Sequence, residues 1–195
     1  MAILNILEYP DPRLRTLAQP VDEVNDEIRQ LVDDMFETMY NAKGIGLAAP
    51  QIGESIRLFI VDASPFGEDE DDPEAQKVKD FKEVFINPEI IETFGDNYPF
   101  EEGCLSIPNI REDVLRDDEI NIRYYDRDWN LREKQFDGYA ARVIQHEYDH
   151  IEGVLFTDRL NPLKKRMLKR KLKDISQGNT KVDYKMKFPK LKLKR

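Results

Sequence analysis

Apolar residues recur along this chain with two periods, and each marks a different kind of element. Ile28, Leu31, Val32, Met35, Phe36, Met39 and Tyr40 return every three or four residues, the spacing of one helix face. Asn25 stands where an N-cap belongs and Gly44 where the chain can stop, so a long helix with a core-facing stripe is predicted. A Met and aromatic stripe is core packing and needs no cofactor. Upstream, Asp11-Pro12 reads as a cap followed by proline at the first helical position, predicting a short helix over Arg13 to Ala18. A third helical pattern runs from about Gly138 to Ile151, with Asp137 as its cap and Gly153 as its stop. Its stripe holds Tyr139, Val143, His146 and His150 at about 100° per residue. A last helix opens at Asn161-Pro162, carries Leu163, Met167, Leu168, Leu172 and Ile175 on one face, and ends at Gly178.

The other period is two. Glu119 to Asp126 alternates Ile120, Ile122 and Tyr124 with polar residues, a half-buried strand, and Leu131 to Phe136 forms its return after the Asp126-Arg127-Asp128 turn. Arg57 to Asp62 reads as a buried strand. Glu83 to Thr93 is strand-like but broken at Asn87-Pro88. Between them, Ser64 to Asp80 is rich in acids, Pro and Lys with little to bury, which predicts an exposed insertion or flexible loop. Gly44-Ile45-Gly46-Leu47-Ala48-Ala49-Pro50-Gln51 is a tight connection rather than a phosphate loop, since it lacks the Gly-Lys-Ser/Thr ending. No element is assigned to the tail after Gly178, and no internal repeat is present.

Bulk properties narrow the class. The 195 residues suit one domain of residues 1–160 with residues 161–195 as its basic C-terminal helix and tail. No apolar run approaches the roughly 18 residues of a membrane span, and Glu8 and Asp11 stand where a signal peptide would be basic and apolar. The single cysteine, Cys104, excludes an intramolecular disulfide. A soluble protein of the reducing cytoplasm, with no membrane partner, is expected. The net charge of −9 is unevenly spread. From Leu160 onward 14 basic residues face two acidic ones, about +12, against 16 and 37 before it, about −21. The basic end is either a solvated tail or a docking surface for something anionic.

The candidate chemistry lies in His146-Glu147-Tyr148-Asp149-His150. This is H-E-x-x-H, and it holds both histidines of the chain. Four residues apart on a helix, the two imidazoles point at one spot, as a divalent transition metal requires. Glu147 projects from the edge of that face, placed to take a proton from a water that the metal acidifies. A stable site needs a third ligand. Cys104 in Glu101-Glu102-Gly103-Cys104-Leu105-Ser106 offers the better soft donor. Asp158 is a second possibility, and Glu152 is too near in the helix to reach comfortably. Two histidines and a cysteine leave a fourth position for water, which implies amide hydrolysis with Glu147 passing its proton to the leaving amine. Gln51 is the one side chain of its segment able to donate to an oxyanion.

Three segments together resemble the peptide deformylase family. Gly44 to Gln51 matches G-x-G-L-A-A-x-Q, Glu102 to Ser106 matches E-G-C-L-S, and Gln145 to His150 followed by Gly153 matches Q-H-E-x-D-H-x-x-G. The likeness covers roughly residues 3 to 175 and keeps the order and spacing. It implies an α+β fold, antiparallel β-sheets around a central metal-binding helix with an additional C-terminal helix. It implies removal of the formyl group from the N-terminal formyl-methionine of nascent polypeptides. Cys104, His146 and His150 are then the metal ligands, Glu147 the general base and acid, and the Gln51 side chain and the Leu105 backbone N–H the oxyanion donors. Ile45, Gly46, Gly103, Tyr139 and Val143 bind the peptide and line its methionine pocket. Ferrous iron is the implied metal, with zinc, nickel or cobalt as substitutes. The basic C-terminal helix resembles one that docks on the ribosome, and a monomer is expected. Two features depart from the family: the length of the 64–80 insertion, and Arg142 beside the pocket stripe where many members are aliphatic. The expectation for Arg142 is a stem lining the methionine pocket and a guanidinium reaching solvent or the substrate chain. The rival readings are a general H-E-x-x-H metallopeptidase and a non-enzymatic metal-binding or ribosome-associated module.

Overall fold

The computed structural model describes residues 2–188. Strand β1 (Ile6–Leu7) leads into a single turn of 3-10 helix at Pro12–Arg15, shorter than the expected helix to Ala18. Asp11 caps it as read, accepting from Arg13 N at 3.0 Å. Helix α1 (Asp26–Asn41) starts under Asn25, whose side chain accepts from Ile28 N at 3.0 Å. Strands β2 (Gly46–Ala48) and β3 (Leu58–Asp62) follow, separated by a 3-10 turn at Ala49–Ile52.

β3 shows how the molecule is layered. Successive side chains of a strand point to opposite faces. Leu58 and Ile60 therefore pack with Val32, Met35, Phe36 and Met39 of α1, while Phe59 and Val61 pack on the other side against Ala141 and Ile144. The sheet is covered on both faces, and each of these buried side chains larger than alanine contributes about 1.5–3 kcal/mol of transfer free energy.

The segment expected as an exposed insertion or flexible loop is largely exposed, but it forms regular elements. Ser64–Glu68 is a 3-10 turn, and Pro73–Gln76 forms a short helix, α2, capped by Asp72. Ala75 and Val78 are buried, and the Phe66 ring stacks on Tyr139 at 4.8 Å between centroids. A few well-placed apolar residues anchor a segment whose bulk composition is polar.

β4 (Lys82–Cys104) and β5 (Ile107–Tyr125) form a long antiparallel ribbon, joined by Leu105-Ser106 alone. Asn87-Pro88 does not break β4. It makes a bulge, with Asn87 at φ +49° and its carboxamide bonded at 2.7 Å to both Val21 N and Val21 O. β6 (Leu131–Asp137) completes a five-stranded antiparallel sheet in the order β2-β3-β4-β5-β6.

Helix α3 (Gly138–Ile151) carries the H-E-x-x-H segment, with 11 of its 14 residues buried. Asp137 occupies the cap position but makes no capping hydrogen bond; it faces Lys77 at 3.4 Å. Gly153 ends the turn at φ +73°, where a Cβ would meet the Arg15 carbonyl oxygen at 2.6 Å. Helix α4 (Pro162–Ser176) buries Leu168 and Ile175 in a cluster with Leu14, Ile107 and Leu155. Leu163 and Met167, expected on the same face, are 65% and 72% exposed. Leu168, Leu172 and Ile175 keep one helical phase, and the other two fall outside it. The tail is not structureless either. β7 (Met186–Lys187) pairs with β1, and this small sheet is parallel, unlike the antiparallel arrangement expected throughout. Residues 189–195 of the basic tail lie outside the described residues. Among the described residues no helix is long and apolar enough to cross a membrane.

Candidate metal centre and cleft

Cys104 is the last residue of β4, so the two-residue connection to β5 sets it beside α3. There it meets both imidazoles. One donor atom from each of Cys104, His146 and His150 lies within 4.8 Å of the others. His150 Nε2 faces Cys104 Sγ at 3.3 Å, and the two rings stand 5.1 Å apart at 76°. Asp158 and Glu152, the carboxylates weighed as ligands, are engaged elsewhere, with Arg15 and with Arg57 respectively.

A buried charge network sits behind these three residues. His146 Nδ1 lies 3.0 Å from Glu102 Oε2, which leaves Nε2 as the ring's other donor. Glu102 receives two bonds from Arg116, 2.6 and 2.9 Å. Arg116 also donates to Asp149 at 2.9 Å, and Asp149 accepts two bonds of 2.6 Å from Arg159. Burial would raise the Glu102 carboxyl, but hydrogen bonds from Arg116 and His146 overcome it and hold Glu102 down to about 2. Burial likewise works against a charged His146, yet its bonds to Cys104 and Glu102 push it well above the usual histidine range. His150 goes the other way, held neutral by burial and by the charges of His146 and Arg116. A fixed carboxylate on one nitrogen and a soft sulfur and second imidazole facing the other make a donor set suited to a divalent transition metal.

Glu147 is buried beside these three side chains, and burial pushes its carboxyl up to about 7. The β2 backbone runs directly over it: a Cβ on Gly46 would lie 2.7 Å from the Glu147 carboxylate carbon. Gln51 is fixed by its own segment. Its Oε1 accepts from Ala48 N at 2.9 Å, so its amide group points at Ser106 Oγ, 3.2 Å away, and at Cys104 Sγ, 3.6 Å away.

Gln51, Cys104, His146 and Glu147 open on one cavity of about 660 Å³, whereas His150 is fully buried and is not part of its lining. Ile45, Gly46, Gln51, Gly103, Cys104, Leu105, Arg142, Val143, His146 and Glu147, all singled out in the sequence, line it. Tyr139 does not. It stands behind the wall, bonded to Asp72 at 2.6 Å and packed on Phe66 and Phe100, which do line the cavity. Arg142 differs from its expectation. It is 1% exposed, and its guanidinium donates to the carbonyls of Val114 and Tyr98 while lying 4.3 Å from the Tyr98 ring centre. Two ribbon carbonyls and an aromatic face hold its Nη groups inside the fold, while Nε is buried without a hydrogen-bond partner, so it does not reach solvent.

Arg116, Phe66 and Phe100 are the contributors that sequence reasoning missed. A signal existed for Arg116. Ile110, Val114, Ile120, Ile122 and Tyr124 are all even-numbered and buried, and Arg116 shares their phase. A lone arginine on the inward face of a strand requires a carboxylate partner.

Two imidazoles and a sulfur within 4.8 Å of one another, with a buried glutamate beside them, are a candidate metal site of the kind that hydrolases carry. The chain matches the family described as polypeptide deformylase over residues 3–166. It is 52% identical over 192 residues to a peptide deformylase of Christiangramia forsetii, covering 97% of this chain and 98% of the relative. It is 50% identical over 188 residues to one of Flavobacterium johnsoniae, covering 95% and 96%. Among solved structures, the peptide deformylase of Legionella pneumophila superposes with a TM-score of 0.76 at 40% identity, covering 91% of this chain and 98% of that one. That of Ehrlichia chaffeensis reaches 0.80 at 33% identity, covering 91% and 99%. The chain belongs to the peptide deformylase family, whose members are metal-dependent hydrolases acting on formylmethionyl peptides.

Proposed function

We propose that this enzyme removes the formyl group from the N-terminal formyl-methionine of nascent polypeptides, with the residues of the cavity in the following roles. Cys104, His146 and His150 hold one divalent metal ion, ferrous iron in the cell, with zinc, nickel or cobalt able to substitute. When bound, that ion supplies Lewis-acid activation of the attacking water and of the formyl carbonyl. Glu147 takes the proton from the water and returns it to the methionine nitrogen as the C–N bond breaks, giving formate and a free amine. The Gln51 amide and the Leu105 N–H donate to the oxygen that becomes negative on attack. Glu102, clamped by Arg116, keeps the His146 ring turned toward its partners. Ile45, Gly46 and Gly103 carry the peptide backbone, and Val143 with the Arg142 stem lines the methionine pocket; Tyr139 acts through Phe66 and Phe100.

The observation that carries this reading is the meeting of Gln51, Cys104 and Glu147, from three separate elements, on the same cavity. The test is anaerobic purification with elemental analysis, then formate release from formyl-Met-Ala-Ser against its acetylated and unformylated forms. About one metal ion per chain and formate from the first peptide alone are expected. Cleavage of the Met–Ala bond would instead favour a general metallopeptidase.

The protein is proposed to work in the cytoplasm as a monomer and to dock on the ribosome through α4. Leu163 and Met167 stand exposed there among Lys164, Lys165, Arg166, Lys169 and Arg170. Deleting the helix would also strip buried Leu168 and Ile175. Reversing the charge of Arg166 and Arg170 is therefore the cleaner test, and undiminished ribosome binding would exclude this docking mode.

A further inference from the structure

The cavity has a wall to which the proposed chemistry assigns no part. Lys181, Val182, Asp183 and Tyr184, from the segment after α4, line it together with Cys104, His146 and Glu147. The segment is tied down at both ends. Asn109 Nδ2 donates to the Lys181 carbonyl at 3.4 Å, and the Tyr184 hydroxyl donates to the Leu105 carbonyl at 2.8 Å. Beyond it, Ile6 N donates to Lys185 O at 2.9 Å and Glu8 N to Lys187 O at 3.1 Å, continuous with the β1–β7 pairing.

The segment also faces the β2 side of the cleft. Asp183 Oδ2 lies 3.6 Å from Lys43 Nζ, and Lys43 directly precedes the Gly44–Gly46 stretch that lines the cavity. Both side chains are highly exposed, 86% and 84%, so this pair is weak and readily exchanged for another charge. Among the described residues, neither Val182 nor Asp183 bonds its backbone N–H or C=O to another backbone group. An extended chain passing along this wall meets open backbone and two opposite charges two residues apart.

We propose that Lys181–Tyr184 is the wall along which the residues after formyl-methionine run, and that Lys181 and Asp183 set the charge preference at those positions. This rests on the deformylase reading of the cavity. With the formyl group at the ligand cluster, the substrate chain must leave through the mouth, and this segment forms one side of it. Tyr184 holds the wall to the Leu105 turn, and the two charged side chains tune what passes it.

The test uses the full-length, metal-loaded enzyme on formyl-Met-Ala-Glu-Glu, formyl-Met-Ala-Lys-Lys and formyl-Met-Ala, the last as amide and yardstick. Asp183→Lys should raise the acidic-to-basic ratio of kcat/KM about two- to fivefold at low salt, the scale of one exposed ion pair. Lys181→Glu should lower the ratio by a similar factor. Both changes should lie in KM and shrink near 1 M salt. Ratios unchanged from the parent in both variants, while formyl-Met-Ala amide is still deformylated, would place the segment outside the peptide path and overturn the proposal alone. If the parent enzyme releases formate from none of the three, the deformylase reading fails and the wall with it.

Discussion

The Arg116 guanidinium grips the Glu102 carboxylate through two bonds, 2.6 and 2.9 Å long, with both side chains buried. The oxygen at the longer bond is also the one that faces His146 Nδ1. One carboxylate thus links the charge core of the fold to the helix that carries the H-E-x-x-H segment. Each partner compensates a charge that would otherwise sit unpaired in the interior.

Replacing Arg116 by methionine should therefore cost about 3–5 kcal/mol, since it leaves Glu102 and part of Asp149 uncompensated. For a chain of this size that is a fall of about 10 °C or more in melting temperature. Metal affinity should fall about 10- to 100-fold as His146 loses its orientation. Thermal melts and competition with a metal-binding dye read the two effects, and an unchanged melt would mean that the network carries no stability.

Gly46→Ala should place a methyl group against the Glu147 carboxylate. A displacement of this order in a catalytic group lowers kcat/KM by about a hundredfold. Near-UV circular dichroism and metal content should stay at parent levels, which separates a displaced base from an unfolded protein.

Gln51→Leu keeps the shape of the side chain and removes its donor. A loss of about 10²- to 10³-fold in kcat, with KM little changed, is the expected signature of an oxyanion donor. Loss confined to KM would make Gln51 a ground-state binder instead.

Glu8 offers a test of stability against pH at a residue given no part in the proposed chemistry. Both of its oxygens are buried without a hydrogen-bond partner, and burial pushes its carboxyl up to about 7. A carboxyl raised above its unfolded value holds a proton in the native state that the unfolded chain has released. Stability therefore falls as pH rises from about 4.5 toward about 7, and the penalty is complete above that window. Glu8→Gln should melt close to the parent near the lower end and above it at the upper end. A constant difference across the window would show that Glu8 keeps its ordinary titration.

The local rules served best where one residue type decides a geometry. Asp11, Asn25 and Asn161 cap as their positions require, and the 3.6-residue period placed both histidines on one buried face. They served poorly where partners lie far apart in sequence. The ribbon from Phe94 to Asp118 is held by its cross-strand ladder, and its many charges mask the alternation. The tail gains its strand only through β1, 180 residues earlier. Arg142 reads as an intruder in the helix until Tyr98 and Val114 are brought to it. At the site, the histidines and Glu147 were legible from spacing alone. Spacing alone left Asp158 as an alternative to Cys104; softness and the family resemblance favoured the thiol, and a two-residue connection sets it beside His150.

The most direct measurement is the formate released from formyl-Met-Ala-Ser by the parent enzyme and by Glu147→Ala, with metal content determined on the same samples. One formate per peptide is expected from the parent, with the Met–Ala bond intact, and a loss of at least about 10²-fold in the variant while its metal stays bound. Undiminished formate release by a metal-loaded Glu147→Ala protein would contradict the role of Glu147 as proton carrier.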